Sequence, residues 1–403
     1  MIRLRPVHFA AALACAGLVA CSSNRGQGAA AGAAEAPTAG HQEVARTLVA
    51  AAMIHPGDKV MISGGIRDWQ LLQNIALETM KAGGQPLITM GGDELTRRSY
   101  EEVPASYDSM PQTFGLGMVN LIDAQIVVEV PDSDNVLAAV PADRIAARSK
   151  AGMPVSQAFL RRGVRLVDLG NGLYPTAQRA SRFGMSQADV ADIFWKAVAV
   201  PPDTIRTRGG ALRDALGAGS RVTLTSPSGT NISFAVNTSR AFVSDGALTA
   251  DKVRQGGFAA ETWLPAGELL VPVNVGTAEG TVVVPKLIFQ GNEIDSLTLH
   301  FANGKLTDMS AKSGLEALRA LYDASTGGKD VFSYVDLGLN PEMTLPTDAG
   351  PIVWMAAGGV TVGLGDNTGW GGTNVSSFGL ALPVGHATLS VDGKDLISGG
   401  ALQ

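Results

Sequence analysis

Asp58-Lys59-Val60-Met61-Ile62-Ser63 is the stretch on which the fold class turns. It is a short apolar, β-branched run, and the segments around it alternate in character. Leu71–Lys81 has helical spacing, and Pro86–Met90 is again strand-like. Upstream, Val44-Ala45, Leu48-Val49 and Ala52-Met53 recur at helical spacing. Downstream, Gln125–Val130 (QIVVEV) and Val164–Leu169 (VRLVDL) are further strand-like runs between helix-forming segments. Such alternation predicts an α/β layer on a parallel sheet. The turn Ser63-Gly64-Gly65 lacks the G-x-G-x-x-G spacing, so no dinucleotide site is read there. Ser186-Gln187-Ala188-Asp189 is a capping-box pattern that opens a helix to about Val198.

From Ala211 the character changes. Arg221–Thr225 and Asn231–Val236 flank the turn Ser226-Pro227-Ser228-Gly229, a hairpin pattern. Asn303-Gly304 and Asp392-Gly393 are stronger hairpin turns, because both residue pairs tolerate the positive φ that a two-residue turn demands. One helix, about Gly314–Ala324, interrupts a half that otherwise reads antiparallel. The expected fold is an α/β domain over residues 42–206 and a β-rich (α+β) domain over 207–403.

The N-terminus predicts where the protein resides. Arg3 and Arg5 precede an apolar stretch, Phe9–Leu18, that is too short for a permanent membrane span. Leu18-Val19-Ala20-Cys21 then resembles a bacterial lipobox. Residues 1–20 are expected to be a lipoprotein signal peptide, with Cys21 carrying the lipid. Ser22 is not the Asp commonly used for inner-membrane retention, so the expected location is the bacterial cell envelope, lipid-anchored, on the periplasmic side of the outer membrane. Residues 21–41, rich in Ala and Gly, are expected to act as a flexible tether reaching roughly 25 Å. Cleavage removes Arg3 and Arg5 and moves the formal charge from −6 to −8.

Composition narrows the chemistry. The 403 residues are 45% hydrophobic, enough for a buried core, and no stripe of Lys and Arg marks a nucleic-acid surface. Both cysteines, Cys15 and Cys21, lie in the N-terminal segment, so the folded body offers no thiolate nucleophile and no Cys-ligated metal. His41, His55, His300 and His386 belong to no H-E-x-x-H or H-x-D pair, and there is no G-x-S-x-G elbow.

One segment is distinctive: Leu264-Pro265-Ala266-Gly267-Glu268, followed by apolar Leu269–Val273 and then Gly280-Thr281. It resembles the P-x-G-E segment of the thermophilic aminopeptidase T family of metallopeptidases. Tyr174-Pro175-Thr176 with Ala180 and Gly184-Met185-Ser186, Gly229-Thr230-Asn231 with Ser239-Arg240, Phe301–Lys305 (FANGK) and Leu337–Pro341 (LGLNP) resemble further stretches of that family, in its order. The likeness spans roughly residues 43–390. It implies an aminopeptidase T-like fold, homodimers, and removal of N-terminal residues from peptides by a dinuclear centre that activates water and polarises the peptide carbonyl.

The resemblance implies five ligand positions, and this chain keeps one. Glu268 fits the first glutamate. The others fall on Tyr334, Thr361, Gly379 and Ala381, none of which replaces an imidazole or carboxylate. No tightly bound cofactor is therefore expected. Zinc, cobalt or manganese would bind if Asp336, Asp366 and His386 converged on Glu268 to rebuild a weaker site. The reading is an aminopeptidase-like lipoprotein whose hydrolysis is weak or lost. The alternative is a non-catalytic lipoprotein that uses the cleft for a peptide or small molecule. The Gly358–Gly372 run, with seven glycines, is expected to form bulges and tight turns rather than a ligand cradle.

Overall fold

A computed structural model describes residues 38–133, 135–137, 139–217, 221–368 and 372–403. The expected signal peptide, the lipidation site Cys21 and the tether up to residue 37 lie outside the described residues. The chain divides into two compact units.

The first unit runs to Arg179 and takes in the later segment Leu248–Thr262. Its sheet begins with four parallel strands, Lys59–Gly65 (β1), Gln85–Gly91 (β2), Ala124–Val128 (β3) and Arg165–Leu169 (β4), in the order β2-β1-β3-β4. β3 is buried at every position, as expected for a strand covered on both faces. The helices Trp69–Lys81, Thr113–Leu121 and Ala142–Arg162 lie between successive strands in sequence, as the alternation predicts. The helix Thr38–Ala51 starts earlier than the expected tether allows. His41, Ala45 and Leu48 are buried at helical spacing with Ala52, and that apolar stripe carries the helix back into the Ala/Gly-rich stretch.

The second unit comprises Ala180–Ala247 and Trp263–Gln403. The division thus falls at residue 180 and not near 206. The reason is packing: in the helix Pro202–Leu216, Ile205, Leu212 and Leu216 are buried in the core of the β-rich unit. At about 2 kcal/mol per buried aliphatic side chain, these three contribute roughly 6 kcal/mol to that unit.

Two antiparallel sheets form this core. After Arg221–Thr225 (β5), Asn231–Ala235 (β6), Phe242–Ser244 (β7) and Glu261–Leu264 (β8, at the edge of the parallel sheet) come Glu268–Pro272 (β9), Glu279–Phe289 (β10), Asn292–Ala302 (β11) and Lys305–Ser310 (β12). Phe332–Gly338 (β13), Val360–Gly365 (β14), Gly379–Val384 (β15), Thr388–Val391 (β16), Lys394–Ser398 (β17) and Ala401–Leu402 (β18) complete the set. The larger sheet runs β12-β11-β10-β6-β5-β16-β17-β18, and the smaller runs β15-β14-β13-β9-β7. Phe234, Val282, Leu297 and Leu389 from the larger sheet share one core with Leu269, Val335, Val362 and Leu382 from the smaller. The hairpins fall where the turns predict: Asn303-Gly304 joins β11 to β12, and Asp392-Gly393 joins β16 to β17, all four residues at positive φ.

Candidate functional site

Strand alternation decides which residues of the smaller sheet share a face. Leu269 and Val271 of β9, Val335 and Leu337 of β13, and Val360 and Val362 of β14 point into the sandwich core. The intervening residues point the other way. The register then aligns them across strands: Ser244, Glu268 and Gly338 in one row, and Leu270, Asp336, Thr361 and Pro383 in the next. Pro272, Tyr334, Gly363 and Ala381 form the third row, and Gly365 with Gly379 a fourth.

All five positions that the resemblance marks as ligands, Glu268, Tyr334, Thr361, Gly379 and Ala381, therefore lie on one face of one sheet. They are far apart in sequence and are brought together by antiparallel pairing alone. Every one of them is buried, Glu268 completely. The face is apolar at its centre, where Trp263, Leu270 and Tyr334 cluster with Phe242 packed against them. The Tyr334 ring lies directly over the backbone of Gly363, so close that a Cβ at that glycine would overlap it. An aromatic side chain thus fills volume on the face where a metallopeptidase would need donors.

Asp336 is the second carboxylate on this face, diagonal to Glu268 across the β9–β13 ladder and opposite Thr361 on β14. Directly opposite residues have Cβ atoms about 5 Å apart and diagonal ones roughly 7–8 Å apart. Asp366 and His386 do not join them. The Asp366 carboxylate is taken up by its own loop, accepting from Thr368 N and Oγ1 at 3.1 and 2.9 Å and from Ser376 N at 3.0 Å. His386 sits at positive φ in the turn between β15 and β16, largely exposed, with Nε2 3.2 Å from Asp348 Oδ2. The condition for a rebuilt site, convergence of Asp336, Asp366 and His386 on Glu268, is therefore not met. Loop hydrogen bonds hold the one, and a surface turn carries off the other.

The donor set does not fit a dinuclear metal centre. Among the described residues, no three of His, Cys, Asp and Glu lie close enough together to hold an ion. Two carboxylates with a threonine and a tyrosine fall short of the three or four donors per ion that zinc sites use. The described part of the Gly-rich run, residues 358–368, makes turns and close approaches. Gly358 and Gly365 have φ of +85° and +93°, and Gly363 makes room for Tyr334. Two contributors to the face were not singled out from the sequence. Ser244 is buried in register with Glu268, and Gly363 had one signal, an isolated glycine inside the strand pattern Val360-Thr361-Val362-Gly363-Leu364.

The fold recurs in solved structures. Wild-type AmpT from Thermus thermophilus superposes with a TM-score of 0.68 at 16% identity, covering 90% of this chain and 99% of its own. A 2,5-dihydroxypyridine dioxygenase from Pseudomonas putida KT2440 does so with a TM-score of 0.55 at 15% identity, covering 91% and 98%. At such identities the likeness is one of fold. No curated protein matches the chain at a significant level. The family model for the thermophilic metalloproteases (M29) matches residues 41–332. It ends just before Tyr334, the first of the four substituted positions, whereas the fold likeness to AmpT extends over most of the chain. With well over half of its length matched, the chain belongs to the thermophilic metalloprotease (M29) family.

Proposed function

We propose that this protein is a lipid-anchored member of the M29 family, seated in a bacterial cell envelope, that has given up metal-dependent hydrolysis and retains the aminopeptidase-like fold for binding. One observation carries the reading: on the sheet face where the family resemblance places five ligands, Glu268 is the only one kept, and Tyr334 stacked over Gly363 occupies the space between strands. Loss of most donors removes tight metal binding, because affinity depends on donor number and geometry. Without a metal to polarise the carbonyl and activate water, one glutamate and one aspartate do not supply a peptidase with its electrophile. The ligand class that suits the family's ancestry is a peptide with a free N-terminus, or a small molecule of similar size.

The test has two arms. Purified protein dialysed against buffer should retain no stoichiometric zinc, cobalt or manganese, and should release no residues from N-terminally free peptides when those metals are restored. Peptides should nonetheless raise its melting temperature. Metal-dependent turnover that disappears in Glu268→Gln would overturn the proposal and show a working site. Absence of both turnover and thermal stabilisation by any peptide would refute the binding role.

A further inference from the structure

The second unit also carries a cavity of about 190 Å³ that shares no residue with the sheet face described above. Arg182, Lys286, Ile288, Gly291, Glu293 and Ala349 line it. Sites for drug-sized ligands run to roughly 300–1,000 Å³, so this one suits a molecule the size of a single amino acid and not a peptide.

Four of these residues come from the β10–β11 hairpin, where Ile288 stands opposite Glu293. Lys286 Nζ lies 2.9 Å from a Glu293 carboxylate oxygen, and the two side chains are 42% and 54% exposed. The lysine stem has a fixed bed. Gly350, at φ +107°, leaves room for it, and a Cβ there would stand 3.1–3.2 Å from Lys286 Cγ, Cδ and Cε. Arg182 arrives from the helix Ala177–Phe183, its Nη2 donating to Gly291 O at 3.4 Å. Asp295, opposite Lys286 on β11, is engaged elsewhere: Lys312 Nζ lies 3.0 Å from it and Ser296 Oγ donates to it at 2.6 Å. With two cations and one carboxylate, the lining has one positive charge in excess.

We propose that this cavity binds a free acidic α-amino acid, aspartate or glutamate, a role independent of the peptide binding proposed above. An amino acid carries an ammonium and a carboxylate on one carbon. The adjacent Lys286 and Glu293 present the inverse pattern, so the α-carboxylate meets Lys286 and the α-ammonium meets Glu293. Each can keep the other as a partner while it does so, because an ammonium has three donors and a carboxylate about four acceptor sites. An exposed ion pair adds little to stability, so rearranging it costs little. Arg182 takes the side-chain carboxylate. Its planar guanidinium suits two parallel bonds to a carboxylate, and a contact as long as that to Gly291 O is a weak competitor. Ile288 and Ala349 face the methylene groups. The ligand's net charge of −1 cancels the excess on the lining. A simple inorganic anion would be opposed by Glu293, and a neutral amino acid would leave Arg182 without its carboxylate.

Isothermal titration calorimetry of the full-length protein tests the assignment. L-Glutamate should bind saturably, with a Kd of roughly 1 mM or tighter. Glutamine lacks the second carboxylate and N-acetylglutamate lacks the ammonium, and each should bind about tenfold more weakly. Each variant should erase one discrimination. In Arg182→Gln, glutamate and glutamine should bind alike; in Glu293→Gln, glutamate and N-acetylglutamate should. Glu293 is a surface residue, so that variant decides the matter even if Arg182→Gln does not fold. Lys312→Gln removes a nearby charge outside the cavity and should change no affinity by more than about twofold. Absence of saturable glutamate binding up to about 10 mM would overturn the proposal. So would equal affinity of the parent for all three ligands, discrimination that survives in folded Glu293→Gln, or a loss in Lys312→Gln as large as in the cavity variants.

Discussion

Gly363→Ala tests how the candidate face is packed. Gly363 lies inside β14 at ordinary extended dihedrals, so alanine brings no backbone strain. In an open strand the exchange would be neutral or stabilise by ~0.4–1 kcal/mol through the unfolded chain. Here the new Cβ would sit well inside the 3.0 Å limit that real Cβ contacts respect, against Cδ1, Cε1 and Cζ of Tyr334. The obstacle is a ring buried beside Trp263 and Leu270, and it has no solvent to move into. Overpacking of this kind costs about 1–3 kcal/mol, and displacing an entire aromatic ring belongs at the upper end. A net loss of about 2 kcal/mol is expected, or ~4–8 °C in melting temperature for a unit of this size. Removing the ring should remove the conflict: in a Tyr334→Leu background, Gly363→Ala should cost less than ~0.5 kcal/mol, a coupling of about 2 kcal/mol in a double-mutant cycle. Urea unfolding of the four proteins supplies the numbers. An equal penalty in both backgrounds would refute the claim that Tyr334 fills the space above Gly363.

Three further outcomes are expected. Asp108 is buried and accepts from Arg144 Nε at 2.5 Å and Arg148 Nε at 2.6 Å, with the Arg144 hydrogen bond holding its carboxyl below the usual range; Asp108→Asn should cost about 2–3 kcal/mol at neutral pH. Because that pKa is depressed, the stabilisation is present above the ordinary carboxylate range and fades as pH falls through the lowered value, so unfolding curves of parent and variant should converge in acid. Burial, opposed by Arg67, raises the pKa of Asp68, and the Tyr174 hydroxyl donates to it at 2.6 Å. Tyr174→Phe should therefore cost about 1–2 kcal/mol above the raised pKa, where the carboxylate is ionised, and less below it, and equal penalties at both pH values would refute the assignment. Cys21→Ser should abolish metabolic lipid labelling and leave the signal uncleaved, and unchanged processing would sink the lipobox reading.

Local patterns carried a large part of this protein. The alternation around Asp58–Ser63 specifies the parallel layer, because hydrophobic period and turn residues act over a few neighbours. Asn303-Gly304 and Asp392-Gly393 specify their hairpins for the same reason: few residues accept positive φ at both turn positions. The Ser186 cap is equally local, its side chain accepting from Asp189 N. The family resemblance, followed residue by residue, implied Glu268, Tyr334, Thr361, Gly379 and Ala381 as ligand positions. Whether they meet was another matter. That required the register of four strands drawn from residues 268–384, and register is set by which side chains the core accepts, a property of the assembled sandwich. The unit boundary was displaced likewise, because nothing local tells the helix Pro202–Leu216 which core will bury Ile205 and Leu216. Asp366 and His386 were credible donors by residue type alone. Tertiary structure engaged one in its own loop and left the other on a surface turn, while it laid a tyrosine ring over the glycine that makes room for it.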